Sequence, residues 1–186
     1  RGKVAKAVEV QNRVRRGEPV DSVYSVSSTV DSLIFYSDDR DDGFFMAAAE
    51  EAKFLRPKMK GRSWWEYNNP LGYGKYLFGW RYKRAGDGDF PARWEAEVPR
   101  SGYYDLSFNL PVRNRWWARN LTRRFKMTII TADGPQPLEL RFQETADGWV
   151  YMGRFRFEKD QPAVIELSDE GQGYILADAI RWEFVE

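Results

Sequence analysis

From Trp64 onward the chain is a succession of short runs in which apolar and polar residues alternate, each closed by Gly, Pro, Asn or Asp. A period of two sends successive side chains to opposite faces, which suits a strand with one face buried and does not suit a helix. Ala92 to Val98 sets Trp94, Ala96 and Val98 on one face and Arg93, Glu95 and Glu97 on the other. Pro99-Arg100-Ser101-Gly102 then reads as the turn of a hairpin into Tyr103 to Leu110. Further strands are expected at Arg124 to Thr131, Leu138 to Gln143, Val150 to Phe157, Val164 to Leu167 and Ile175 to Phe184. Turns fall at Asp133-Gly134, Asp147-Gly148, Lys159-Asp160 and Glu170 to Gly173. This grammar predicts a mainly β domain, an antiparallel β-sandwich or barrel, over residues 61–186.

The first sixty residues follow another pattern. Lys3 to Arg16 carries Val4, Ala7, Val8 and Val14 at helical spacing, with Arg13, Arg15 and Arg16 where positive charge complements the helix dipole. Gly17 and Pro19 end that helix, Val20 to Tyr36 reads as extended, and the acidic turn Asp38 to Gly43 leads into a second helix, Phe44 to Leu55, stopped by Pro57. Residues 1–60 are therefore expected to form an N-terminal extension of helix, extended segment and helix, packed on the sandwich. The first residue is Arg1 rather than Met, and the chain is read as a processed product or a piece of a longer polypeptide.

Composition narrows the chemistry. Cysteine and histidine are both absent, which removes disulfides, thiolate and Ser-His nucleophile systems, the usual general base near neutral pH and most transition-metal sites. A formal charge of +1 supplies no overall field for nucleic acid, and no apolar run reaches the roughly 18 residues of a membrane-spanning helix. No nucleic-acid partner and no membrane insertion are expected. Aromatic residues, by contrast, make up 16% of the chain, with eight Trp and ten Tyr, which exceeds what a core of this size needs. The balance favours binding over catalysis.

The order of segments in the second part resembles the golvesin C-terminal and xanthan-lyase carbohydrate-binding-like family of bacterial modules. The resemblance rests on Ala92-Arg93-Trp94-Glu95-Ala96-Glu97-Val98-Pro99, Ser101-Gly102-Tyr103-Tyr104, Gly148-Trp149-Val150 and Met152-Gly153-Arg154-Phe155-Arg156-Phe157. It is completed by Val164-Ile165-Glu166-Leu167-Ser168 and Ala177-Asp178-Ala179-Ile180-Arg181-Trp182. It implies a jelly-roll, galactose-binding-like sandwich of the kind appended to secreted or envelope enzymes, with carbohydrate binding as the family's proposed role. Trp94, Trp149 and Trp182 lie within that pattern and are expected in the core.

Two stretches are candidate binding surfaces. Arg113-Asn114-Arg115-Trp116-Trp117-Ala118-Arg119-Asn120-Leu121-Thr122-Arg123-Arg124 is expected as a loop between strands. Trp faces stack on the C–H side of sugar rings, and Arg offers planar donors to hydroxyls and carboxylates, so Trp116, Trp117, Arg113, Arg115 and Arg119 are candidate ligand contacts. Packing is the competing reading, because adjacent tryptophans point opposite ways, one in and one out. The second stretch holds Trp64, Trp65, Tyr73, Tyr76 and Trp80, either a ligand platform or a seam joining the extension to the sandwich.

Asp178, an acid within an apolar strand with no carboxylate partner identifiable, is assigned a structural role. Asp38 to Gly43 and Gly86 to Asp89 offer oxygen atoms to a structural calcium ion, but neither has the spacing of an EF-hand loop, and no cofactor is expected. The function expected is that of a non-catalytic carbohydrate-binding accessory module holding a polysaccharide or oligosaccharide, secreted or at the cell surface. The rival is a protein-interaction domain whose aromatic loops bury against neighbouring domains or an envelope assembly.

Overall fold

Alternation in the sequence becomes alternation of burial. In the strand Ala92–Glu97, Ala92 and Trp94 are buried while Arg93 and Glu97 are exposed, and Arg124–Thr131 repeats the pattern through Phe125, Met127, Ile129 and Thr131. The computed structural model describes residues 34–38, 43–46, 64–69, 72–73, 79–110, 115–142 and 148–185, which all lie in one compact unit, Ser32–Glu186. In chain order its elements are β1 (Ile34–Ser37), β2 (Phe44–Met46), β3 (Trp65–Asn68), β4 (Gly79–Arg84), β5 (Ala92–Glu97), β6 (Gly102–Asn109) and α1 (Arg115–Asn120). They continue with β7 (Arg124–Thr131), β8 (Gly134–Arg141), β9 (Trp149–Phe157), β10 (Pro162–Leu167), β11 (Tyr174–Ala177) and β12 (Ile180–Phe184).

Among the described residues the strands form three antiparallel sheets, ordered β1-β12-β6-β9, β2-β5-β10-β7-β8 and β11-β4-β3. The first two face each other across the core, where Phe108 of β6 meets Trp94 of β5 and Phe125 of β7, each with ring centroids 5.8 Å apart. Trp94, Tyr104, Phe108, Phe125 and Trp182 are all fully buried. Side chains of this size each gain about 1.5–3 kcal/mol on leaving water, and the edge-to-face contacts fix how they interlock. The fold is thus a mainly β antiparallel sandwich, as the alternation predicts.

Four local expectations are corrected. Pro99 to Gly102 does not close a hairpin: β5 pairs with β10 and β2, whereas β6 pairs with β12 and β9, so this turn carries the chain from one sheet to the other. The Tyr104 hydroxyl anchors the crossing by donating to the Arg100 carbonyl at 2.8 Å. The run Ile175 to Phe184 is two strands, because Asp178 and Ala179 carry the chain from β4's sheet, joined by β11, to β6's sheet, joined by β12.

Phe44–Met46, expected as the start of a helix, is instead an edge strand. The Glu95 N–H donates to the Gly43 carbonyl at 2.7 Å and Phe44 lies in register with Trp94, so pairing overrides local helix preference. With β1 it brings residues from the expected extension into the sheets of the sandwich. Apart from Asp38 and Gly43, the remainder of that range, including both expected helices beyond Phe44–Met46, lies outside the described residues. The fourth correction is α1, a helix where a loop was expected. Asp133-Gly134, by contrast, does close the β7–β8 hairpin, with Gly134 at φ 102 and the Thr131 hydroxyl donating to the Gly134 carbonyl at 2.9 Å.

Candidate functional site

α1 holds only six residues, too few to persist in water, and its single buried side chain is Trp117. That ring makes edge-to-face contacts with Tyr67, Trp80, Tyr82 and Tyr174, at centroid separations of 5.7, 5.9, 5.2 and 5.9 Å. Trp117 thereby fastens the helix onto the β11-β4-β3 sheet. Trp116, next in line, points outward: it is 54% exposed, 5.6 Å from the Tyr174 ring and 5.0 Å from that of Trp117. Of the eight tryptophans, all among the described residues, it is the one classed as exposed.

Beside the helix lies an open cleft of about 550 Å³ between the segment Arg119 to Lys126 and the turn Glu170 to Gly173. Its walls are tied together. The Thr122 N–H donates to the Tyr174 carbonyl at 2.7 Å, and Gly173, at φ 83, lies so near the helix end that a Cβ there would come within 2.3 Å of the Asn120 carbonyl oxygen. Only glycine brings the turn this close. Arg119 and Arg115 are both exposed on the same short helix, and no acidic residue occupies its first turn. Arg123 lies over Phe142 at 5.6 Å, Arg124 approaches Glu139 at 3.5 Å, and Lys126 pairs with Glu170 across the cleft mouth.

The structure brings together Trp116, Arg115 and Arg119 of the expected set. Trp117, Trp80 and Trp64 are 5%, 1% and 8% exposed, so they present no face to a ligand and serve packing. Trp64 also donates its indole N–H to the Phe90 carbonyl at 3.0 Å. Trp65 is half-buried on β3, opposite Tyr82 of β4. Tyr73 belongs to a different cluster, stacked on Tyr36 at 4.8 Å and meeting Trp149 edge-on at 5.7 Å. Arg113 and Tyr76 lie outside the described residues.

Trp94 and Trp182 are core residues, as expected, while Trp149 is half-buried with the Arg181 guanidinium 5.3 Å above its ring. Asp178 is fully buried and structural: it accepts from the Tyr73 N–H at 3.0 Å, and its own carbonyl accepts from the Trp94 indole at 3.0 Å. Sequence reasoning found the turn Glu170 to Gly173 but missed Tyr174 after it. The Gly171-Gln172-Gly173 spacing signalled a tight turn but not its approach to α1, which depends on pairing between distant segments.

Among the described residues no three of His, Cys, Asp and Glu gather into a metal-binding group, and Asp87 and Asp89 are exposed. No helix among them is long and apolar enough to cross a membrane.

Comparison with known proteins places this architecture. A xanthan lyase from Paenibacillus superposes with a TM-score of 0.62 at 19% identity, over 83% of this chain and 13% of the lyase. The chain thus spans a small fraction of that enzyme. A family 35 carbohydrate-binding module from Clostridium thermocellum superposes with a TM-score of 0.50 at 9% identity, over 81% of this chain and 98% of the module. Both likenesses are of fold. The comparison with curated proteins yields no match. Residues 58–184 match the model of the Golvesin C-terminal domain, and on that match the chain belongs to the Golvesin C-terminal domain family.

Proposed function

We propose that this chain is a non-catalytic carbohydrate-binding module of a larger secreted or envelope protein, and that it holds a glycan on Trp116 and in the cleft beside it. The observation that carries this reading is the position of Trp116. A large apolar ring left 54% exposed, held by Trp117 and Tyr174, and carried on the same short helix as Arg119, which lines a cleft rich in hydrogen-bond donors, is an arrangement suited to a sugar ring. The family and the fold support it. The two neighbours described above are a xanthan lyase and a carbohydrate-binding module.

Calorimetric titration of the full chain against a panel of oligosaccharides tests the proposal. Binding that Trp116→Ala weakens about tenfold or more is the expected result. A panel without binding, or affinities indifferent to Trp116→Ala, overturns it.

A second reading, a protein-interaction domain of a surface assembly, is favoured by the outer face of the β1-β12-β6-β9 sheet, where Tyr36, Tyr103 and Tyr151 are exposed. Crosslinking from native envelopes that captures a protein through this face, with no glycan affinity in solution, would select it.

A further inference from the structure

We infer that the cleft beside Trp116 selects carboxylate-bearing glycans, with the arginines flanking the aromatic ring reading the acid groups. This rests on the glycan-binding reading above and names the ligand class.

Four cationic side chains, Arg119, Arg123, Arg124 and Lys126, line the cleft against one carboxylate, Glu170. Among the described residues this excess is balanced weakly. The Arg124–Glu139 contact is 3.5 Å long between side chains 63% and 40% exposed, and the Lys126–Glu170 pair is about half exposed, so both are screened by water. The whole chain carries a formal charge of only +1, so the excess is local to this cleft. Helix α1 adds to it. Arg115 and Arg119 stand four residues apart on one helix face, where like charges repel, and the helix holds no acid to offset them. A ligand anion relieves that repulsion.

The donors suit an oxyanion with paired oxygens, and a carboxylate is the one a sugar carries on its own carbon skeleton. A guanidinium offers parallel N–H groups that match the two oxygens of a planar carboxylate. Trp116 and Arg119 are three residues apart on α1, hence on one side of the helix, so an apolar sugar face on the indole and a carboxylate on the guanidinium are met by a single ring. The walls are preformed by the Thr122–Tyr174 hydrogen bond and by Gly173, which limits the ordering that binding requires.

The full chain is titrated with oligosaccharides of galacturonate, mannuronate and glucuronate, with the same oligosaccharides after reduction of their carboxyl groups, with sulfated dextran oligomers and with a single-stranded oligonucleotide. A uronate oligosaccharide is expected to bind at least about tenfold more tightly than its carboxyl-reduced form, with an affinity that falls as salt rises. In Arg119→Gln/Arg123→Gln that preference is expected to collapse while the reduced sugar binds as before; Trp116→Ala weakens both. Equal affinity for acidic and reduced sugars overturns the inference and leaves the glycan-binding reading standing. Tighter binding of sulfated dextran or the oligonucleotide overturns carboxylate selection. Absence of binding to any sugar overturns both.

Discussion

The Lys83 ammonium and the Asp169 carboxylate are paired inside the protein, each side chain wholly excluded from solvent. Lys83 comes from β4, and Asp169 from the turn after β10, so the pair joins two sheets. Asp169 also accepts the Phe90 N–H at 3.2 Å, and the Lys83 nitrogen lies 4.9 Å from the centre of the Phe90 ring. The backbone closes tightly around it: a Cβ on Gly86 would come within 2.5 Å of the Asp169 carboxylate. Burial pushes the lysine below its ordinary pKa, and the carboxylate opposes that push.

Removing one member of a buried pair strands the other charge, at a cost of about 3–5 kcal/mol. Lys83→Met is expected to destabilise the protein by that amount in urea denaturation. Lys83→Met/Asp169→Asn is expected to recover part of the loss, since no bare charge remains. Equal stability of Lys83→Met and the wild type would show that the pair is dispensable.

The adjacent tryptophans of α1 are expected to separate stability from binding. Trp117→Ala empties the centre of an aromatic cluster and costs about 3–5 kcal/mol by chemical denaturation. Trp116→Ala is expected to leave stability within about 0.5 kcal/mol, because its ring is exposed, while weakening the proposed glycan binding.

Gly173→Ala places a Cβ against the Asn120 carbonyl at a backbone conformation that side chains rarely adopt. A loss of about 1–3 kcal/mol is expected, together with weaker ligand binding because the cleft wall shifts. Gly134→Ala makes a useful contrast. It too has a positive φ, but nothing lies within 4 Å, so only the conformational cost remains.

Asp105 provides a pH test. The Arg154 guanidinium donates to its two carboxylate oxygens at 2.9 and 3.0 Å, and the Tyr151 hydroxyl donates at 3.0 Å, holding the aspartate below its ordinary pKa of 3.8. A lowered folded pKa means that the contribution is complete above the ordinary value and is lost as pH falls through the folded one. The pair is partly exposed, so the contribution is below about 1 kcal/mol. Asp105→Asn is expected to lower the thermal midpoint slightly at pH 7 and to flatten its decline below pH 4, the two proteins converging in acid.

The strands of the sandwich were legible because a half-buried strand writes its period into its own residues: Arg124–Thr131 is bounded as the alternation predicts. Partners were not. The sequence around Pro99 looks like a hairpin because turn chemistry is local, yet β5 finds β10, more than sixty residues away, since sheet pairing is settled by the whole core.

The same division holds at the candidate site. The residues Trp116-Trp117 and their arginines announced a surface rich in aromatic and cationic groups, and the absence of histidine and cysteine set aside most catalytic chemistry. Which tryptophan faces water was decided by Tyr67, Trp80, Tyr82 and Tyr174 closing around Trp117, and the cleft exists because Gly173 and Tyr174 come back against α1. A sequence specifies side-chain chemistry and local periodicity; exposure and convergence depend on contacts between segments far apart in the chain, and only the assembled sheets bring those into being.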